Sequence, residues 1–326
     1  MKNVLITGGT GFVGANLARA LIELGYTVRI LRRPESDLRA VNDLCLVHCL
    51  GDIRDPESLR KAMQGCDTVF HTAAIVSFKK KDRDLQHAVN IEGTRNVVEA
   101  CLAEGVRRLV HTSSVATIGP VTRGELATEQ TAYAWGSSSG YRYTKYLAEQ
   151  EVYAGIARGL DTVIVNPSVI VGERDYHFHG GQMIREVRRG FVPFYVRGGM
   201  SVVYVGDVVE GHIQAALRGK RGERYILSGE NLTHREIFKR TAALIGGRPP
   251  FARLPILLLR AGAFVIEQIS SVLQVEPLIT PDIVAGAGAH NWFSCAKAQR
   301  ELGYRVTPFD HAILAAYNWY RSNGLL

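Results

Sequence analysis

The sequence lacks the cysteine pattern of a disulfide-stapled or zinc-bound protein. Its five cysteines, Cys45, Cys49, Cys66, Cys101 and Cys295, form no C-x-x-C pair and are odd in number. That usage excludes a disulfide framework and fits a reducing, cytoplasmic compartment. No uncharged apolar run approaches the ~20 residues of a membrane-spanning helix. The most lipophilic stretch, 254–275, is broken by Arg260 and Glu267 and reads as an amphipathic helix over 255–273. A secretory leader is not expected, because the first strand pattern begins at residue 3. Internal repeats, low-complexity segments and a basic recognition helix are absent, so nucleic acid is not an expected partner. Acidic charge is also short, with 31 Asp and Glu against 39 Lys and Arg. The basic residues are scattered, with Lys79-Lys80-Lys81 the one tight run, and an anionic small ligand accounts for the excess.

Glycine, by contrast, is placed with purpose. Gly8-Gly9-Thr10-Gly11-Phe12-Val13-Gly14 follows the apolar run Val4-Leu5-Ile6 and opens a helical pattern over 11–24. Strand, glycine turn and helix in that order form a dinucleotide pocket: one glycine for the turn, one for backbone approach to a pyrophosphate, one for helix–strand packing. The phosphates then rest on the N–H groups at the positive end of the helix. Leu17, Leu21 and Leu24 recur at helical spacing and are expected to face a sheet. Apolar, β-branched runs at 3–7, 27–31, 45–50, 68–72, 108–113 and 161–166 alternate with helical patterns at 56–64, 84–104 and 139–158. Cys45 and Cys49 are expected on one face of a buried strand.

This alternation predicts an α/β fold, a doubly wound parallel Rossmann sheet. After Pro167 the pattern changes. The segment 172–201 lacks periodicity; a strand over 202–205, a helix over 207–217 and a strand over 223–227 follow. Thr233 with Glu236 reads as a capping box for a helix over 234–245, and further helices are expected at 295–302 and 309–322. Residues 1–168 and 202–228 are therefore assigned to the nucleotide-binding domain. Residues 169–201 and 229–326 form a smaller, mostly helical substrate lobe, with Ile256, Leu257, Leu258, Phe264 and Val265 as apolar lining or plain core.

Tyr141 and Lys145 stand four apart and share a helix face. A phenol ordinarily titrates near pH ~10, and an ammonium beside it lowers that value, which suits proton exchange with a carbonyl or alcohol. Thr112-Ser113-Ser114 ends the strand 108–113, where ligands of parallel sheets bind. At the end of the second strand, where an acid would bind the ribose hydroxyl of NAD, the chain has Arg32 and Arg33. Arginine suits a 2′-phosphate, so NADP(H) is the expected cofactor, with Arg32 the leading contact. His177 and His179 lack partners at usual ligand spacing, so no metal is expected. Their segment reads as a mobile substrate lid, with Tyr176 or His179 touching substrate. Val76 and Phe78 are the other substrate candidates.

Gly8–Gly14, His71-Thr72-Ala73-Ala74, Asn90-Ile91-Glu92-Gly93-Thr94, Thr112-Ser113-Ser114, Tyr141–Lys145 with Ala148-Glu149, and Val165-Asn166-Pro167-Ser168 with Gly172 follow one another along the chain. In that order they resemble the extended short-chain dehydrogenase/reductases over nearly the whole length. The likeness is strongest to the dihydroflavonol-4-reductase-like branch. Hopanoid-associated sugar-epimerase-like proteins and 3β-hydroxysteroid dehydrogenases are its neighbours. The resemblance implies a catalytic triad of Ser114 (with Ser113 as fallback), Tyr141 and Lys145. It implies Gly8, Thr10, Gly11, Phe12, Val13 and Gly14 at the pyrophosphate, and Asp52 and Ile53 at the adenine. Thr72, Ala73 and Ala74 would lie along the ribose and pyrophosphate. Thr112, Tyr141, Lys145, Pro167 and Ser168 would border the nicotinamide end. A homodimer through the helix carrying Tyr141 also follows from it.

The expected activity is NADPH-dependent reduction of a carbonyl on a small, apolar or cyclic substrate, with Tyr141 giving the proton and Ser114 steering the oxygen. Two alternatives stand beside it. One is a nucleotide-sugar epimerase or dehydratase with tightly held NAD; the other is a nucleotide-sensing protein without catalysis.

Overall fold

The computed structural model describes residues 1–122, 124–137, 140–190, 192–262, 284, 286 and 288–326. Thirteen strands are described: β1 (Asn3–Thr7), β2 (Thr27–Arg32), β3 (Val47–Leu50), β4 (Thr68–His71), β5 (Arg108–Thr112), β6 (Thr162–Pro167), β7 (Val169–Val171), β8 (Phe194–Tyr195), β9 (Gly199–Tyr204), β10 (Arg224–Leu227), β11 (Glu230–Thr233), β12 (Ala252–Arg253) and β13 (His290–Asn291). The helices used below are α1 (Phe12–Glu23), α2 (Pro56–Met63), α3 (Gly93–Ala103), α4 (Tyr141–Ala157), α5 (Gln182–Arg189), α6 (Val205–Arg218), α7 (His234–Ile245), α8 (Ala296–Leu302) and α9 (Phe309–Ser322).

Seven strands form one parallel sheet in the order β3-β2-β1-β4-β5-β6-β10. Its strands are apolar on both faces because helices cover both. Val4, Ile6, Phe70 and Val110 point to the face packed by α1, α6 and α8, whereas Leu5, Val69 and Leu109 point to α2, α3 and α4. The period of two thus assigns alternate residues to two separate cores. Each fully buried aliphatic contributes roughly 1.5–3 kcal/mol relative to exposure. Leu17 and Leu21 are buried as expected, but Leu24 is exposed, because α1 has ended at Glu23. β3 is an edge strand with mostly exposed residues, and Cys45 lies exposed ahead of it, so the two cysteines do not share a buried strand.

The strand order reverses between β1 and β4, where the Thr72 amide donates to the Thr7 carbonyl at 3.1 Å. Such a switch point opens a crevice at the carboxyl ends of the strands. The expected strand over 202–205 is β9, and it departs from the domain assignment above. It pairs with β7, β11 and β13 in a second sheet, while α6 and β10 return to the first. β7, β11 and β13 escape pattern reading because each has only two to four residues. A third core, including Ile184, Ile237, Phe309 and Tyr320, joins this second sheet to α5, α7 and α9. The capping box at Thr233 forms as expected, and α7 spans the expected residues. Most of the helix expected over 255–273, with Phe264 and Val265, lies outside the described residues. Leu257 and Leu258 are exposed and line no core.

Candidate active site

The glycine turn leaves β1 and enters α1 with almost no spare volume. Gly8 has φ of +71°, and a Cβ there would stand 2.7 Å from the backbone of Ala73. A Cβ on Gly14 would stand 2.2 Å from the Gly8 carbonyl oxygen. The first turn of α1 has no side-chain cap at Gly11, which leaves its N–H groups and the positive helix end available. Ser168, at the far end of the crevice after β6, carries a buried hydroxyl with no partner among the described residues. An anionic dinucleotide fits this frame: phosphates on the uncapped turn and a polar group near Ser168.

The other nucleotide candidates all stand at the carboxyl ends of strands: Arg32 ending β2 and Arg33 after it, Asp52 and Ile53 after β3, Thr72–Ala74 after β4, Thr112 ending β5, and Pro167 ending β6. Arg32 Nε donates to His48 Nδ1 at 3.0 Å, which lays the guanidinium along the sheet edge. Arg33 pairs with Glu35 at 3.2 Å and Arg54 with Asp52 at 2.7 Å. Three guanidinium groups therefore crowd the end of β2 and β3.

Ser114, Tyr141 and Lys145 do converge. Gly140, at φ of +54°, turns the chain into α4 so that Tyr141 opens the helix. The Ser114 side chain is a hydrogen-bond partner of the Tyr141 phenol. Phe78 packs edge-on against Tyr141, ring centroids 6.1 Å apart, and Ser77, Phe78, Lys79, Arg83, Gln86, Gly140 and Tyr141 line a recess there. Lys145 is buried and donates to the Thr112 carbonyl at 2.8 Å.

The electrostatics correct one expectation. The Tyr141 phenol is not lowered: burial pushes it up to about 12, with the Ser114 hydrogen bond opposing. Burial also pushes the Lys145 ammonium down to about 8, with the Glu149 carboxylate opposing. The physical reason is desolvation, which penalises phenolate and ammonium alike. Tyr141 is therefore a proton holder in this state, suited to donation.

Several side chains that support the candidate residues were legible only as motif letters. Asn90 sits in a π-helical turn, His87–Glu92, ahead of α3. Its amide accepts from the Ile75 N–H at 2.8 Å and donates to the Ile75 carbonyl and to Thr144, clamping the loop after β4 to α4 beside Lys145. Glu149, one turn beyond Lys145, is buried and accepts from Thr117 at 2.9 Å and Asn166 at 2.8 Å, with Arg224 at 3.5 Å. Asn166 also donates to the Ser114 carbonyl at 3.1 Å. The serine backbone and the lysine thus share one buried carboxylate as support. Below them the imidazoles of His71 and His111 lie 5.3 Å apart, and burial holds His71 neutral with its pKa down at about 3.

The segment expected as a mobile lid is pinned. The Asp175 carboxylate accepts from the amides of His179, Gly180 and Gly181 and from the Tyr320 hydroxyl, all at 2.8–3.1 Å. Tyr176 packs against Trp319 and Arg39. None of these contacts involves Ser114, Tyr141 or Lys145. Phe78 reaches Tyr141, while Val76 is exposed nearby on the same loop.

This arrangement gathers the candidate residues at the carboxyl ends of a Rossmann sheet. The family model described as the NAD dependent epimerase/dehydratase family matches residues 4–228, and the chain belongs to that family. It is 37% identical to a Synechocystis sp. protein with a provisional dihydroflavonol 4-reductase name, over 98% of this chain and 94% of that one. It is 33% identical to the sterol demethylase protein B of Methylococcus capsulatus, over 99% of both chains. The crystal structure of gox2253 superposes with a TM-score of 0.88 at 38% identity, covering 100% of both chains. The class is therefore an extended short-chain dehydrogenase/reductase that binds NAD(P).

Proposed function

We propose that this protein is an NADPH-dependent reductase of a carbonyl on a small, apolar or cyclic substrate. The observation that carries the reading is the Ser114–Tyr141–Lys145 convergence with a phenol that keeps its proton. The bound nicotinamide would supply hydride. Ser114 orients the substrate oxygen by a hydrogen bond, and Tyr141 donates its proton to that oxygen. Lys145, one turn along α4 and fixed on the Thr112 carbonyl, would stabilise the phenolate left behind through its positive charge. Phe78 supplies an apolar wall, which fits the substrate class in the relatives' names.

Arg32 with Arg33 and Arg54 supports a 2′-phosphate at the end of β2. A pairing of two copies through α3 and α4 and a cytoplasmic setting belong to the same reading; the five free cysteines support the latter. Fluorescence titration of nucleotide-stripped protein tests the cofactor. Tighter binding of NADPH than NADH, lost in Arg32→Ala, is expected. Preference for NADH, or NAD that resists stripping, would favour the epimerase reading.

A further inference from the structure

Away from the crevice, one face of the second lobe combines exposed apolar side chains with unbalanced charge. β8 and β12 pair in parallel, Ala252 beside Phe194, and the Leu254 amide donates to the Tyr195 carbonyl at 2.8 Å. The rings of Phe194 and Phe251 meet at 5.4 Å. The chain then enters a helix at Ile256. Phe251 is 79% exposed, Leu257 74%, Leu258 61% and Phe194 45%. Around them, the segments 188–197 and 248–260 hold six arginines, Arg188, Arg189, Arg197, Arg248, Arg253 and Arg260, and no Asp or Glu. All six arginines are exposed. The two segments touch where the Phe251 amide donates to the Pro193 carbonyl at 3.1 Å.

We infer that this face docks peripherally on an anionic lipid bilayer, with Phe251, Leu257 and Leu258 entering the headgroup boundary and the arginines lying on the lipid phosphates. Exposed aromatic and aliphatic anchors beside arginine are what an interfacial site needs, and the arginines add affinity only where the surface is negative. A second copy of this chain is a poorer occupant. A twofold contact through the face would set one arginine cluster against another, with no Asp or Glu in either segment to offset them. No helix among the described residues is long and apolar enough to cross a membrane, so the mode is peripheral.

Vesicle flotation of the whole protein tests this. Vesicles of phosphatidylglycerol with phosphatidylcholine should carry the protein, and vesicles of phosphatidylcholine alone should not. Arg248→Gln with Arg253→Gln should lower the binding constant on the order of tenfold, and added salt should do the same. Phe251→Ser with Leu257→Ser should reduce it as well. Arg300→Gln with Arg305→Gln removes the same charge outside this face and should change little. NADPH binding and thermal melting of each variant check folding, and the arginine pair decides if the apolar pair fails to fold. The proposal is overturned if anionic vesicles carry no protein, or if the two arginine pairs weaken binding equally. It is also overturned if Phe251→Ser with Leu257→Ser dissociates a dimer that the unaltered protein forms.

Discussion

At the scale of single residues, the site rests on what burial does to charge. Tyr141, raised to about 12, keeps its proton across the working range, whereas Lys145, lowered to about 8, loses its charge within it. Reduction should therefore be flat below about pH 8 and fall above it, because an uncharged lysine no longer stabilises the phenolate. Glu149 opposes the lowering of Lys145. In Glu149→Gln the fall should move to lower pH, measured as the pH profile of kcat. A loss of kcat with an unmoved profile would mean that Glu149 only supports the fold. Ser114, Tyr141 and Lys145 were legible because two of them share a helix face and the third ends a strand. Asn90, Glu149 and Asn166 were not assigned roles, because their partners lie on other elements: Ile75 and Thr144 for Asn90, Thr117 and Arg224 for Glu149. Likewise, tyrosine–lysine spacing says nothing of the desolvation that reverses the expected shift.

At the scale of elements, close approach and buried histidines give two further outcomes. Gly14→Ala would drive a methyl into the Gly8 carbonyl at 2.2 Å. It should cost roughly 1–3 kcal/mol by overpacking and abolish NADPH binding, read by thermal denaturation and by titration. The buried histidines on β4, β5 and α6 make the sheet acid-sensitive. Burial lowers His71 to about 3, His212 to about 4, and His111 well below its usual value. Unfolded imidazoles take protons below pH ~6.5, while these stay neutral in the fold. Their stabilisation is present above that pH and is lost as pH falls toward 4 and then 3. His111 has no hydrogen-bond partner among the described residues. His111→Leu should flatten the melting temperature against pH between 6.5 and 4; an unchanged slope would contradict this account. Strands of the main sheet were legible within a residue or two from β-branched runs. The short strands of the second sheet were not, because β9 gathers partners from 169–171, 230–233 and 290–291, far apart in sequence.

At the scale of the whole molecule, the main sheet sets the uncapped glycine turn after β1 and the Tyr141 phenol at the carboxyl ends of its strands, the two ends of the crevice to which the proposed function gives the phosphates and the proton transfer. The parallel, doubly wound architecture was readable from alternation alone, since covered faces demand apolar runs. The fastening of the expected lid was not legible, because the lack of periodicity in 172–201 resembles a loose loop. Asp175 instead fastens it by four hydrogen bonds to its own backbone and to Tyr320 on α9. Positioning of this kind puts the chemistry on few groups, so a single phenolic oxygen should govern turnover.

The most direct test is steady-state reduction of a panel of dihydroflavonol and 3-ketosterol substrates by the unaltered protein and Tyr141→Phe with NADPH, alongside nucleotide titration. The account predicts turnover by the unaltered protein and a loss in kcat on the order of 10²–10⁴-fold in the variant, with NADPH affinity nearly unchanged. Reduction by Tyr141→Phe at the unaltered rate would contradict it.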